Sequence, residues 1–177
     1  QVMEIFDLQA DIDLNLMVVG QDLFDITSNV LLKMRAVLQN EKPDLVLVHG
    51  DTTTSFATSL ACFYMGVKVG HVEAGLRTFN LQAPYPEEFN RQTTAILADY
   101  HFAPTELSKK NLLLEGKLDA VTLVTGNTVI DALHLMIKKI EASPETLTKI
   151  IGKLSKCLSF DWRLQRYVLI TGHRREN

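Results

Sequence analysis

The chain has 177 residues, 46% of them apolar, two cysteines and a formal net charge of −3. That length suffices for one domain with a full hydrophobic core, and with no basic run the charge balance excludes an electrostatic footprint for nucleic acid. Lys, Asp or Glu interrupts every hydrophobic segment short of the ~18 residues that a membrane-spanning helix needs, so no such helix is expected.

The N-terminal stretch, residues 1–13, is acidic and lacks a basic region followed by an apolar core, so it does not read as a signal peptide. A start at Gln1 instead of Met looks like the middle of a longer chain. Residues 22–41 place Leu23, Ile26, Val30, Met34, Val37 and Leu38 at spacings of three and four, which predicts an amphipathic helix ending before Lys42-Pro43. Residues 45–48 then form a continuous apolar run, the pattern of a strand covered on both faces. The run ends in His49-Gly50-Asp51-Thr52-Thr53-Thr54. Gly50 permits a tight turn, and the hydroxyls suit the N-cap of a helix beginning near Ser55 and closing at Gly66. Ala and Ser along that helix allow close packing on a sheet.

Residues 67–72 predict a second strand, ending in His71-Val72-Glu73-Ala74-Gly75-Leu76-Arg77. Residues 78–85 have no apolar period and form a loop of the length often kept for function. Pro86 opens a helix to about Ala98 with Glu87 and Glu88 in its first turn, where carboxylates suit the helix dipole. Further strands are predicted at 100–103, 120–124 and 167–171. A helix capped by Thr105 closes near Gly116, another follows Thr125-Gly126-Asn127-Thr128, and a more polar one spans 144–158. Alternation of strands and helices with short loops argues for one doubly wound α/β domain with a mainly parallel sheet. Cys62 and Cys157 fall in helical segments without CxxC spacing and are expected to be buried, reduced thiols, which points to a reducing, cytoplasmic setting.

Three strand ends carry acids or imidazoles: His49 with Asp51, His71 with Glu73, and His173 with Arg174 and Arg175. In a parallel sheet these ends lie on one edge, where open α/β sheets bind ligands. Taken alone, Asp51 can cap the following helix, and His71 can be a satisfied core histidine. Glu87 and Arg91 stand four apart, as in a surface ion pair, yet their helix follows the long loop and can face the same crevice. The HxD and HxE pairs could offer metal ligands, a runner-up of low specificity. Gly172-His173-Arg174-Arg175 looks more like an anion site.

The ordered set His49-Gly50-Asp51-Thr52-Thr53, His71-Val72-Glu73-Ala74-Gly75-Leu76-Arg77, Pro86-Glu87-Glu88-Phe89-Asn90-Arg91 and Thr171-Gly172-His173-Arg174-Arg175-Glu176-Asn177 closely resembles the non-hydrolysing UDP-N-acetylglucosamine 2-epimerases of bacteria, over nearly the whole chain. The resemblance implies one Rossmann-like domain of a two-domain, GT-B-type enzyme. Residues 1–171 would be part of the first domain and 172–177 the start of the interdomain segment, with the second domain absent and the chain unable to turn over alone. It implies inversion at C2 of UDP-N-acetylglucosamine to give UDP-N-acetylmannosamine, by elimination and re-addition of UDP through 2-acetamidoglucal. No metal or redox cofactor is implied. By motif match Asp51, Glu73, Glu87, Arg91 and His173 are catalytic, and Asp51, Glu73, His173 and Arg174 bind UDP-N-acetylglucosamine and UDP. A cytoplasmic homodimer in polysaccharide biosynthesis, without membrane or nucleic-acid partners, is the implied setting. Gln82-Ala83-Pro84-Tyr85 departs from the pattern, with Ala83 and Tyr85 where family members often carry Ser and Trp or Phe. Alternatives are a glycosyltransferase of the same architecture, a non-catalytic fragment, and a metal hydrolase using His49 and Asp51.

Overall fold

The computed structural model describes residues 2–170, which gather into two compact units divided at Thr128. After a short helix α1 (Val2–Ile5), the first unit runs α2 (Leu23–Glu41), β1 (Leu45–His49), α3 (Thr53–Met65), β2 (Lys68–Val72), α4 (Glu87–Leu97), β3 (Tyr100–Ala103), α5 (Glu106–Leu114) and β4 (Thr122–Val124). A 3-10 turn at Asp119–Val121 takes the first residues of the expected fourth strand. All four strands are parallel, in the order β1-β2-β3-β4, with His49 beside Val72, His71 beside His101 and His101 beside Thr122. The parallel α/β architecture read from the sequence is therefore present.

Local chemistry sets the helix ends. Asp22 caps α2 in a capping box with Asp25, Thr52 caps α3, and Thr105 caps α5. Gly66, at φ 69°, ends α3 in the left-handed conformation that glycine adopts without a steric penalty. On α3, Ser55, Ala57, Ser59, Ala61 and Cys62 are buried, so the helix approaches the sheet closely, as its small residues suggested. Leu38, Val48, Ala61, Cys62 and Val69 form one core cluster, and Ala74, Ala95, Ala103 and Leu112 a second under α4 and α5.

Three sequence expectations change. β1 is covered on one face only: Val48 is buried, whereas Leu47 is 61% exposed. Successive right-handed crossovers in a sequential strand order deliver α3, α4 and α5 to the same side of the sheet, so this stretch supplies no helix to the Leu45 and Leu47 side. The fifth strand does not form over 167–170, which are unpaired; residue 171 lies outside the described residues. A strand needs a neighbour, and no other strand occurs among the described residues of its unit, which comprises most of α6 (Thr128–Glu141) and α7 (Pro144–Cys157). Of the two thiols, Cys62 is buried, its pKa pushed up to about 11 by desolvation, but Cys157, at the last turn of α7, is exposed.

His71 and His101, adjacent on β2 and β3, are both buried against the helices. Burial lowers the His71 pKa to about 4, against the pull of the Gly50 carbonyl; Arg77 and His49 lower it further and Asp51 raises it. Between pH 6.5 and about 4 the unfolded chain therefore holds a proton on His71 that the folded chain does not. The stability owed to neutral His71 is complete above pH 6.5 and declines as the pH falls towards 4, by roughly 3 kcal/mol. Urea midpoints measured from pH 7 to pH 4.5 should fall, and a folded His71→Gln variant should show a shallower decline; equal slopes would contradict this account.

Candidate active site

β1 hands over to α3 through a turn fixed from both sides. Gly50, at φ 71°, donates its N–H to Val72 O at 3.0 Å and accepts from His71 Nε2 at 2.8 Å, so the proton of neutral His71 sits on Nε2. Ser55 Oγ donates to His49 O at 2.6 Å, and Thr52 Oγ1 accepts the Ser55 N–H at 3.2 Å. Because Thr52 provides the cap, the Asp51 carboxylate is left for another partner. It takes Arg91, whose Nη2 lies 2.6 Å from Asp51 Oδ2, while Asn90 Nδ2 donates to the Asp51 backbone carbonyl at 2.9 Å.

At the end of the neighbouring strand, Glu73 adopts φ 66°, a left-handed conformation that a non-glycine residue enters at a cost of about 1 kcal/mol or more. Its carboxylate lies against Gly50: a Cβ added there would stand 3.3 Å from Glu73 Oε2. The loop beyond is clamped to α5. A Cβ on Gly75 would lie 2.2 Å from Ser108 O, so no larger residue fits, and Asn111 Nδ2 donates to Gly75 O at 3.0 Å. Arg77 has a fully buried side chain and pairs bidentately with Glu115 at 2.6 and 2.8 Å. Glu73 thus stands on a rigid base.

The third carboxylate comes from α4. Glu87 Oε2 is buried without a hydrogen-bond partner among the described residues. Side chains four apart share a helix face, which puts Glu87 one turn before Arg91 on the side that meets Asp51. Arg91 engages Asp51 and, through Nη1 at 3.4 Å, Glu88. Its guanidinium joins two elements, in place of the surface i,i+4 pair that spacing alone allows. Glu88 is fully buried. Burial raises its pKa, but hydrogen bonds from Gln92, the backbone of Thr78 and Phe79, and Arg91 outweigh that and hold the carboxyl below its ordinary range. Beside the turn, a cavity of about 260 Å³ opens between Leu23 and Thr27 of α2, Thr53 and Phe56 of α3, and Pro86 and Phe89.

Asp51, Glu73 and Arg91 are thus gathered around the carboxyl ends of β1 and β2, with Glu87 one turn before Arg91 on α4. His173 and Arg174 lie outside the described residues. The HxE pair does not present two ligands on one face: His71 is buried with Nε2 bound to Gly50, and Glu73 has turned out of the strand. Among the described residues no group of three or more His, Cys, Asp or Glu could hold a metal ion.

The model of the UDP-N-acetylglucosamine 2-epimerase family matches residues 1–177. The chain belongs to that family. It is 50% identical over 177 residues to the UDP-N-acetylglucosamine 2-epimerase of Neisseria meningitidis, covering all of this chain and 46% of the relative, and 49% identical to that of Escherichia coli K12 over the same shares. The chain therefore spans about half the length of the curated relatives it matches. A crystal structure of UDP-GlcNAc 2-epimerase from Neisseria meningitidis bound to UDP-GlcNAc superposes with a TM-score of 0.81 at 48% identity, covering 89% of this chain and 43% of that one. The Methanocaldococcus jannaschii enzyme in complex with UDP-GlcNAc and UDP gives 0.77 at 37%, covering 86% and 41%. The expected family and the Rossmann-like, GT-B-type architecture are thus supported.

Sequence spacing missed the supporting groups: Asn90 on the Asp51 carbonyl, Asn111 and Arg77 under the Glu73 loop, and Glu88 beneath Arg91. Glu88 had a signal, since a second acid sits beside Glu87, but in a first helical turn it reads as dipole complement. The Arg91 contacts have a measurable consequence. Arg91→Met strands the buried Glu88 charge and should cost about 3 kcal/mol in urea unfolding. Asp51→Asn keeps an acceptor for Nη2 and should cost under about 1 kcal/mol. Equal costs would mean that Arg91 is not what fastens α4 to β1.

Proposed function

We propose that this chain is part of a non-hydrolysing UDP-N-acetylglucosamine 2-epimerase, and that the full-length protein inverts C2 of UDP-N-acetylglucosamine. One observation carries the reading: Asp51 and Glu73 follow adjacent parallel strands, and Arg91, one helical turn after Glu87, is bound to Asp51, in a chain matching the family model throughout. In the proposal, residues 1–171 belong to the first Rossmann-like domain and 172–177 begin the segment towards a second. Turnover belongs to the longer protein.

A carboxylate base takes the C2 proton as the C1–O bond breaks and UDP departs with the bonding pair, leaving a C1=C2 double bond in 2-acetamidoglucal. A second carboxylic acid protonates the opposite face of C2, and UDP adds back at C1. The sum is an isomerisation with no net redox change. A C2 hydrogen is weakly acidic, so the base needs a fixed position with limited water. The bound Gly50 turn and the α5 clamp supply that rigidity for Asp51 and Glu73, and the unpartnered oxygen of Glu87 suits the second acid. His173 and Arg174 are assigned to the departing diphosphate, which needs cationic stabilisation.

No described helix is long and apolar enough to cross a membrane. A cytoplasmic homodimer serving polysaccharide synthesis completes the proposal. Incubating the full-length protein with UDP-N-acetylglucosamine in D2O should give UDP-N-acetylmannosamine with deuterium at C2, followed by proton NMR. Asp51→Asn and Glu73→Gln should each lower kcat by roughly 10²- to 10⁴-fold. Unaltered C2 stereochemistry with no deuterium uptake would refute the assignment.

A further inference from the structure

Among the described residues Glu88 is the one fully buried carboxylate, and it belongs to none of the catalytic assignments above. Its two oxygens are divided. Oε1 accepts from Phe79 N at 3.0 Å and from Gln92 Nε2 at 2.9 Å, while Oε2 faces Arg91 Nη1 at 3.4 Å. Arg91 in turn reaches Asp51 with its other terminal nitrogen at 2.6 Å. The guanidinium is planar, so an anion behind one nitrogen restricts the direction in which the other points. Among the described residues the partners of Arg91 are these two carboxylates. Through Oε1 the same side chain also ties the 78–85 loop to α4.

We propose that Glu88 is a positioning residue for the reaction: from the buried side of α4 it aims Arg91 at Asp51, and so fixes that carboxylate at the end of β1. The inference rests on the epimerase reading. The purely structural alternative is that Glu88 anchors the loop and no more. The division of its oxygens separates the two. In Glu88→Gln the amide oxygen can still accept from Phe79 and Gln92, but the amide nitrogen then turns a donor towards Arg91, so the loop anchor survives and the aiming contact is lost. Glu88→Asp keeps the charge on a shorter arm.

The test uses the full-length protein and a double-mutant cycle with Arg91→Lys. E88Q should lower kcat about tenfold to a hundredfold with KM within threefold, and E88D should recover part of the loss. E88Q/R91K should turn over within about twofold of R91K alone, because Glu88 acts through Arg91. Unchanged kcat in a folded E88Q variant, a rise in KM alone, or effects that multiply in the double variant would overturn the proposal. If E88Q fails to unfold cooperatively in urea, the same cycle run with E88D decides. A wild-type protein that does not epimerise would sink the reaction without touching Glu88. The Asp51 carboxyl carbon resonance then decides, and it should move between wild type and E88D; an unmoved signal would refute the inference.

Discussion

The Arg91 guanidinium, held between the partly exposed Asp51 and the fully buried Glu88, is the contact on which the site's geometry depends. Placing an ionised carboxylate out of water is costly unless it is paired and hydrogen-bonded. Glu88 meets both conditions, with an arginine on one oxygen and a backbone N–H and an amide on the other. The arrangement decides three things together: the rotation of α4 about its axis, the path of the 78–85 loop, and the direction of the Asp51 carboxylate. Asn90, one residue before Arg91, adds a second tie to the Asp51 carbonyl, so α4 grips the end of β1 by side chain and main chain. A lysine could balance the charge but not span both carboxylates with a planar fork.

Around that contact the backbone is shaped by positions that tolerate little variation. Gly50 is bound on its N–H and its carbonyl by β2, and Gly75 admits no side chain against Ser108. Between them Glu73 holds a left-handed conformation, strain of the kind that persists where the surroundings over-determine it. Neutral His71 contributes by its shape and its one proton. A cationic imidazole there would be charged out of water, and burial keeps the ring neutral at neutral pH.

From α2 to α7 the order of elements was legible because strand and helix periods, caps and Gly66 all act locally, and the structure reproduces those elements to within about two residues. Asp51 and Glu73 could be singled out because strand ends in a parallel sheet meet at one edge, and Glu87 and Arg91 because their helix follows the long loop after Glu73. What spacing could not give was partnership. Whether Asp51 caps a helix or binds an arginine depends on Thr52 winning the cap and on α4, 40 residues on, arriving with Arg91 forward. Coverage of β1 was misjudged for a related reason: an apolar run reports what a strand tolerates, while its neighbours follow from crossover direction and strand order. The strand anticipated at 167–171 had the composition but no partner in its unit.

The charges on this wall of the crevice constrain how the chemistry is divided. Asp51, Glu73, Glu87 and Glu88 are acids, while Arg77 is committed to Glu115 and Arg91 to Asp51 and Glu88. Such a surface suits taking and returning a proton at carbon. Neither of these arginines is uncommitted for a diphosphate, whose charge calls for cations of its own. If the proposed reaction is right, the leaving group must meet its cations elsewhere. The sequence offers Gly172-His173-Arg174-Arg175 for that purpose, a glycine followed by three groups that can be cationic. Proton transfer would then belong to the ends of β1 and β2 and the first turn of α4, and phosphate recognition to the segment that follows residue 171.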